Sequence, residues 1–168
     1  MGVLYEKFDN GDLLRIVAPE LKKVVLKDYY WKHHNKLTQA VKEHLEQFNS
    51  CLILDCHSFP SSPLTRALVQ DSETPDFNIG TDSFHTPKHL IEASKEFFES
   101  KGYSLGVDTP YTGSIVPMEY YHKDHRVNSI MLEVNRRMYL NEPTNEKSDG
   151  YNKTKEVVRD YLYLLRFL

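Results

Sequence analysis

The sequence predicts a three-layer α/β domain. Apolar runs of strand length alternate with amphipathic stretches of helix length. A chain of 168 residues is long enough to bury one core, and it shows no internal repeat. It therefore reads as a single domain over residues 1–168.

Composition removes several function classes. Lys plus Arg is 21 against 24 for Asp plus Glu, a net charge of −3, so a domain-wide basic footprint for nucleic acid is absent. No apolar run approaches the ~18–20 residues of a membrane span. Met1 to Glu6 lacks the basic and apolar regions of a secretory leader. The two cysteines, Cys51 and Cys56, are then expected as reduced thiols in a cytoplasmic protein.

The elements follow in order. Asp9-Asn10-Gly11 between the apolar-rich runs 3–8 and 13–17 predicts a hairpin, because both turn positions tolerate a positive φ. Pro19 and Glu20 are expected to interrupt the pattern. A helix is predicted from about Asp28 to Phe48, with Tyr30, His34, Leu37, Val41, Leu45 and Phe48 on one apolar stripe. Cys51 to Leu54 is a continuous apolar run, the pattern of a central strand buried on both faces. Residues 59–76 read mostly as loop, and Phe77 to Ile79 as a short strand. Thr86 as N-cap, Pro87 in the first helical position and Gly102 at the C-terminal end frame a second helix. Tyr103 to Val107 and Ile130 to Val134 predict two more strands, and residues 141–152 a polar loop. A last helix from near Lys153 carries Val157, Val158, Tyr161, Leu162, Leu165 and Leu168 on its packed face.

Three places could carry chemistry. Asp55-Cys56-His57-Ser58 closes the first predicted strand. Alternation puts Asp55 and His57 on one face and Cys56 on the other. Ligands of open α/β sheets bind at such strand ends. His57 is thus a candidate metal ligand with Asp55 to set its tautomer, or a strand-end histidine that bonds a loop. Cys56 and His57 diverge too far for a nucleophilic dyad. Glu133 interrupts an apolar strand, and a buried carboxylate costs several kcal/mol unless it is paired, protonated or bound to metal. Arg136 and Arg137 offer a structural ion pair; catalysis is the other reading. Thr109 to Ser114 could bring backbone close to a small ligand. His85, His89, His122 and His125 lie in polar stretches and are expected at the surface, and His34 reads as a packing residue. No helical zinc motif and no phosphate-binding glycine loop is present.

Three motifs in this order resemble one family. They are Leu54-Asp55-Cys56-His57-Ser58-Phe59-Pro60, Thr109-Pro110-Tyr111-Thr112-Gly113-Ser114-Ile115-Val116-Pro117 and Ile130-Met131-Leu132-Glu133-Val134-Asn135-Arg136. The set resembles the N-formylglutamate amidohydrolases, as do Phe77 to Asp82 and Tyr29-Tyr30 to His34. The resemblance implies an α/β/α sandwich around a mixed sheet, similar to the zinc carboxypeptidases. It implies zinc-dependent hydrolysis of N-formyl-L-glutamate, or of a similar N-acylated amino acid, to formate and the free amino acid. By resemblance His57 is a zinc ligand and Glu133 the general base. Tyr111, Asn135 and Arg136 would line the substrate pocket, and Asp55 or His34 would support or substitute for a ligand. Members of the family look longer at the N-terminus, where the other zinc ligands are expected. Met1 to Tyr5 resembles a segment well inside them, so this chain is expected to lack that strand and to self-associate through an exposed sheet edge.

A second reading is a truncated, catalytically inactive remnant of the same fold that acts only through binding or assembly. A third is a carboxypeptidase-like peptidase. The partner expected under the first and third is a small molecule or peptide, with no nucleic acid and no membrane.

Overall fold

The computed structural model describes residues 4–65 and 73–168. The N-terminal turn forms around Gly11, whose φ of +91° suits a residue without a Cβ. Among the described residues its two arms form one antiparallel bridge, Lys7 to Leu13, and no longer ladder. Tyr5, Phe8, Leu13 and Ile16 stay exposed, so no core selects a longer ladder.

The first helical stretch starts earlier than its stripe suggests. Pro19 opens α1 (Pro19–Val25), a five-residue π turn spans Leu26–Tyr30, and α2 continues over Trp31–Phe48. Pro19 occupies a helix start, where a missing N–H costs nothing, so it begins the helix rather than breaking the pattern. Val41 and Leu45 are buried, whereas Phe48 at the end of the stripe is exposed. Asn49, with a φ of 56°, turns the chain into β1 (Cys51–Phe59).

The main sheet also contains β2 (Phe77–Gly80), β3 (Leu105–Val107) and β4 (Val127–Asn135), in the order β1-β4-β2-β3. β1 runs parallel to β4, β2 antiparallel to β4, and β3 parallel to β2. The sheet is therefore mixed. The central strand is β4, which is buried along nearly its whole length. β1 is an edge strand among the described residues, although its sequence reads as a central one. Leu52 and Leu54 are accordingly only half-buried.

Two helices cover one face: α3 (Lys88–Ser100) and α4 (Tyr151–Leu165). Phe77, Ile79, Leu90, Phe98, Ile130, Leu132, Val157, Tyr161 and Leu165 form the larger core there. The other face packs on α2 through Val41, Leu45, Cys51, Ile53 and Val127. The three layers are those the element pattern predicts. Between β4 and α4 lies a two-stranded hairpin, β5 (Leu140–Asn141) with β6 (Glu146–Lys147), inside the segment expected to be loop. Leu168, expected on the packed face of α4, is exposed.

The cap of α3 differs from expectation. Pro87 is the N-cap itself, and the Thr86 hydroxyl donates to the Ser129 carbonyl at 2.6 Å. Thr86 ties the helix to the central strand instead of capping it. Gly102, with a φ of +78°, follows the C-terminal end as expected. Residues 66–72 of the expected 59–76 loop lie outside the described residues.

Candidate active site

Register decides which side chains share a face. His57 pairs with Glu133 across β1 and β4, and Asn78 pairs with Glu133 across β2 and β4. Paired residues project to the same side of a sheet. Asp55, His57, Asn78 and Glu133 therefore line one polar face, on the α2 side. Cys56 pairs with Leu132, which belongs to the α3/α4 core, so the thiol lies on the opposite face from His57. Burial pushes the Cys56 thiol up and the Asp55 charge adds to this, which suits an inert thiol better than a nucleophile.

Glu133 is 7% exposed, and its Oε2 is buried without a hydrogen-bond partner among the described residues. Burial, with Asp55 adding to it, raises its pKa from 4.5 to about 6, against the pull of His57 and Arg136. His57 Nε2 donates to Asp55 Oδ1 at 2.8 Å. The bond holds the ring and leaves Nδ1 as the nitrogen available to a ligand. The imidazole is about half exposed, and among the described residues β1 has no strand on its outer side.

Arg136 follows β4 in a short 3₁₀ turn, Arg136–Met138. Its Nε donates to Ser58 Oγ at 3.3 Å and one terminal nitrogen to the Ser58 carbonyl at 3.4 Å. No carboxylate lies within ion-pair distance of it among the described residues, so its charge is not spent on Glu133. Arg137 instead takes the structural role, pairing with Asp76 at 2.9 Å.

Tyr111 reaches the same face from the loop after β3. Burial and the Glu133 charge push its hydroxyl up, and Arg136 opposes them. Its ring packs on Phe59 with centroids 5.6 Å apart. Asn78 holds this loop: it accepts from the Thr109 N–H at 3.1 Å and donates to the Tyr111 carbonyl at 2.9 Å. Gly80 lets the loop close in, since a Cβ there would stand 2.3 Å from the Gly113 carbonyl oxygen. The positioning role of Asn78 was not foreseen. The signal in the sequence is a lone amide inside the Phe77–Gly80 strand.

The structure thus gathers Asp55, His57, Tyr111, Glu133 and Arg136. Asn135 lies two residues beyond Glu133 on the same face of β4, with its amide engaged by other partners, and His34 sits apart on α2. Asn135 is fully buried, and its amide donates to Thr74 Oγ1 and the Pro75 carbonyl while accepting from the Arg137 N–H. His34 on α2 packs its ring, tilted, against Tyr30 of the π turn with centroids 4.2 Å apart, and burial and then His33 lower its pKa. No hydrogen bond or ring contact joins it to His57.

One histidine expected at the surface is in the core. His85 is fully buried, donates from Nδ1 to the Val127 carbonyl at 2.7 Å and accepts the His122 N–H on Nε2 at 2.8 Å. Both ring nitrogens are engaged, so it braces the 117–124 segment against β4.

A half-exposed imidazole backed by a carboxylate is a common half of a metal site. A catalytic zinc needs three protein ligands, and among the described residues no three metal-ligating side chains, Asp55, His57 and Glu133 included, are placed to hold one ion. The described residues do not by themselves fit a complete zinc site.

A sequence model of the N-formylglutamate amidohydrolases matches residues 1–140. The chain is also similar to the crystal structure of the N-formylglutamate amidohydrolase from Ralstonia eutropha JMP134, with a TM-score of 0.78 at 21% identity. The likeness covers 99% of this chain and 64% of that one, so this chain spans under two thirds of that neighbour's length. No curated protein matches the chain.

Proposed function

The chain belongs to the N-formylglutamate amidohydrolase family, and we propose that its Glu133 face hydrolyses N-formyl-L-glutamate or a similar N-acyl amino acid to formate and the free amino acid. The observation that carries this reading is Glu133 itself. It is a buried carboxylate with one oxygen unpartnered among the described residues, within reach of the Arg136 charge, and Arg136 has no carboxylate at ion-pair distance among those residues. A structural carboxylate in that position would pair with Arg136.

Above about pH 6 Glu133 is ionised in a poorly hydrated setting, where a carboxylate is a stronger base than in water. It takes a proton from a water molecule, whose oxygen attacks the formyl carbon. The C–N bond then breaks, and the proton held by Glu133 passes to the leaving nitrogen. Arg136 binds a substrate carboxylate through paired hydrogen bonds, and Tyr111 borders the site over Phe59. Zinc belongs to this proposal as a cofactor that polarises the carbonyl and acidifies water. His57 Nδ1 is the donor this chain offers it, with Asp55 behind the ring; no step above depends on it.

Formate release from N-formyl-L-glutamate, with zinc per chain measured on the same sample, tests the reading. Turnover that falls at least 100-fold in Glu133→Gln, and strongly in His57→Ala, is expected. Turnover unchanged by Glu133→Gln would overturn it. No turnover together with no bound zinc would leave a fold that serves binding alone.

A further inference from the structure

We propose that Met131 sets the size of acyl group that the Glu133 site accepts: it leaves room for formyl and turns away acetyl and larger groups. This rests on the hydrolase reading, which gives Met131 no role. Met131 pairs with Asp55 on β1 and with Gly80 on β2. It stands two residues before Glu133 on β4, so both side chains project to the same face. There it is an apolar side chain among polar ones, and at 8% exposed it lies under cover rather than in solvent.

The cover is the 109–117 loop. Met131 Cε and the Gly113 carbonyl oxygen converge over Gly80, each inside the space that a Cβ there would need. The loop is pinned on both sides of that carbonyl. Asn78 holds Thr109 and Tyr111 ahead of it. Behind it, the buried Ser129 hydroxyl bonds Ser114 Oγ and donates to the Ile115 carbonyl at 2.8 Å. Ser129 is also the residue two before Met131 on β4. Withdrawal of the methionine from Glu133 would carry it into Ser129 or into the loop.

Substrate polarity decides which group meets it. Arg136 lies beyond the C-terminal end of β4, bonded to Ser58. A carboxylate held there runs the substrate back along β4 to its scissile bond at Glu133. The acyl group is on the far side of that bond and points to Met131. Residues i and i+2 on one face are about 7 Å apart. A water about 3 Å from Glu133, and the carbon it attacks about 3 Å further on, take up most of this span. The hydrogen of a formyl carbon fits what is left, and a methyl in its place meets the methionine. A thioether chain is adaptable, so the refusal is graded, about 10- to 200-fold for one methyl group.

The test titrates the whole 168-residue chain with N-formyl-L-glutamate and N-acetyl-L-glutamate, following isotope-labelled methionine methyl groups by NMR. The chain carries Glu133→Gln so that neither ligand is consumed. The formyl compound should bind about tenfold or more tightly than the acetyl one. It should also shift the Met131 methyl resonance and leave that of Met118, which is 75% exposed, in place. Met131→Ala should close the affinity gap at least fivefold. Met131→Val, a smaller change that suits a strand, should close part of it and serves if the alanine variant does not fold. Equal affinities in the parent, a gap that neither substitution narrows, or an unmoved Met131 methyl would each overturn the proposal. Formate release by the parent chain with an unchanged gap in both variants would sink this proposal and keep the hydrolase reading. A gap that Met131→Ala closes, in a chain that releases no formate, would do the reverse. No binding of either compound would overturn both.

Discussion

At the scale of the residue, Glu133 should reveal itself through stability as well as activity. Its pKa is about 6 in the fold against an ordinary 4.5, so the folded chain binds this proton more tightly than the unfolded one. Stability from this group is therefore full below about pH 4.5, declines as pH rises through about 6, and stays lower above. The loss is about 2 kcal/mol at pH 8. Glu133→Gln, neutral and of similar shape, should accordingly be more stable than the parent by roughly 1–2 kcal/mol at pH 8 in urea unfolding, the gap closing by pH 4.5. An equal gap at both pH values would mean that the charge carries no such cost. Arg136 should act on binding: Arg136→Lys keeps the charge and loses the fork, so KM should rise about 10- to 100-fold with kcat within a few-fold. A fall in kcat at unchanged KM would place Arg136 in the chemical step instead. Alternation alone put Asp55 with His57 and marked Glu133 as out of place. Asn135 and His85 were not legible, because their partners, Thr74 and Pro75 for one and Val127 and His122 for the other, come from distant segments.

At the scale of the element, the loop that carries Tyr111 depends on the end of β2. A Cβ on Gly80 would meet the Gly113 carbonyl at 2.3 Å and Met131 Cε at 2.4 Å. The methionine can swing aside, but the loop backbone cannot without shifting Tyr111. Gly80→Ala should therefore cost roughly 1–3 kcal/mol in urea unfolding and lower turnover as well. Wild-type stability in that variant would show that the loop has another resting place. Periodicity found each main-sheet strand and the cores of α2, α3 and α4. It missed α1 and the π turn because Leu26–Tyr30 adds a residue to the turn and breaks the stripe's phase. It placed β1 in the sheet and read it as central, whereas among the described residues β1 pairs with β4 alone. An apolar run reports what a strand is suited to touch, and edge or centre is decided by which other segments are present.

At the scale of the whole molecule, the two faces of the sheet are unequally anchored. The α3/α4 side holds stacked Phe77 and Phe98, 4.4 Å apart, and Tyr161 bonded to Ser94 at 2.7 Å. The α2 side relies on Val41 and Leu45 over Cys51, Ile53 and Val127, and none of α1 or the π turn is buried. Segments with fewer buried apolar contacts open at lower free energy than the global transition. Native-state amide exchange should therefore show α2 opening before α4. Leu45→Ala, which removes a side chain only 8% exposed, should lower the α2 opening energy by about 2–4 kcal/mol, more than it changes exchange within α4. Glu133 faces the α2 layer, so the site should fail with that layer, and activity in rising urea should be lost before far-UV signal from α3 and α4. Coincident loss of both, with α2 and α4 amides sharing one opening energy, would show a single cooperative unit. The ordering follows from where polar residues sit: the face that carries Asp55, His57, Asn78 and Glu133 gives up apolar contact to hold them, and the opposite face supplies the stability that permits it.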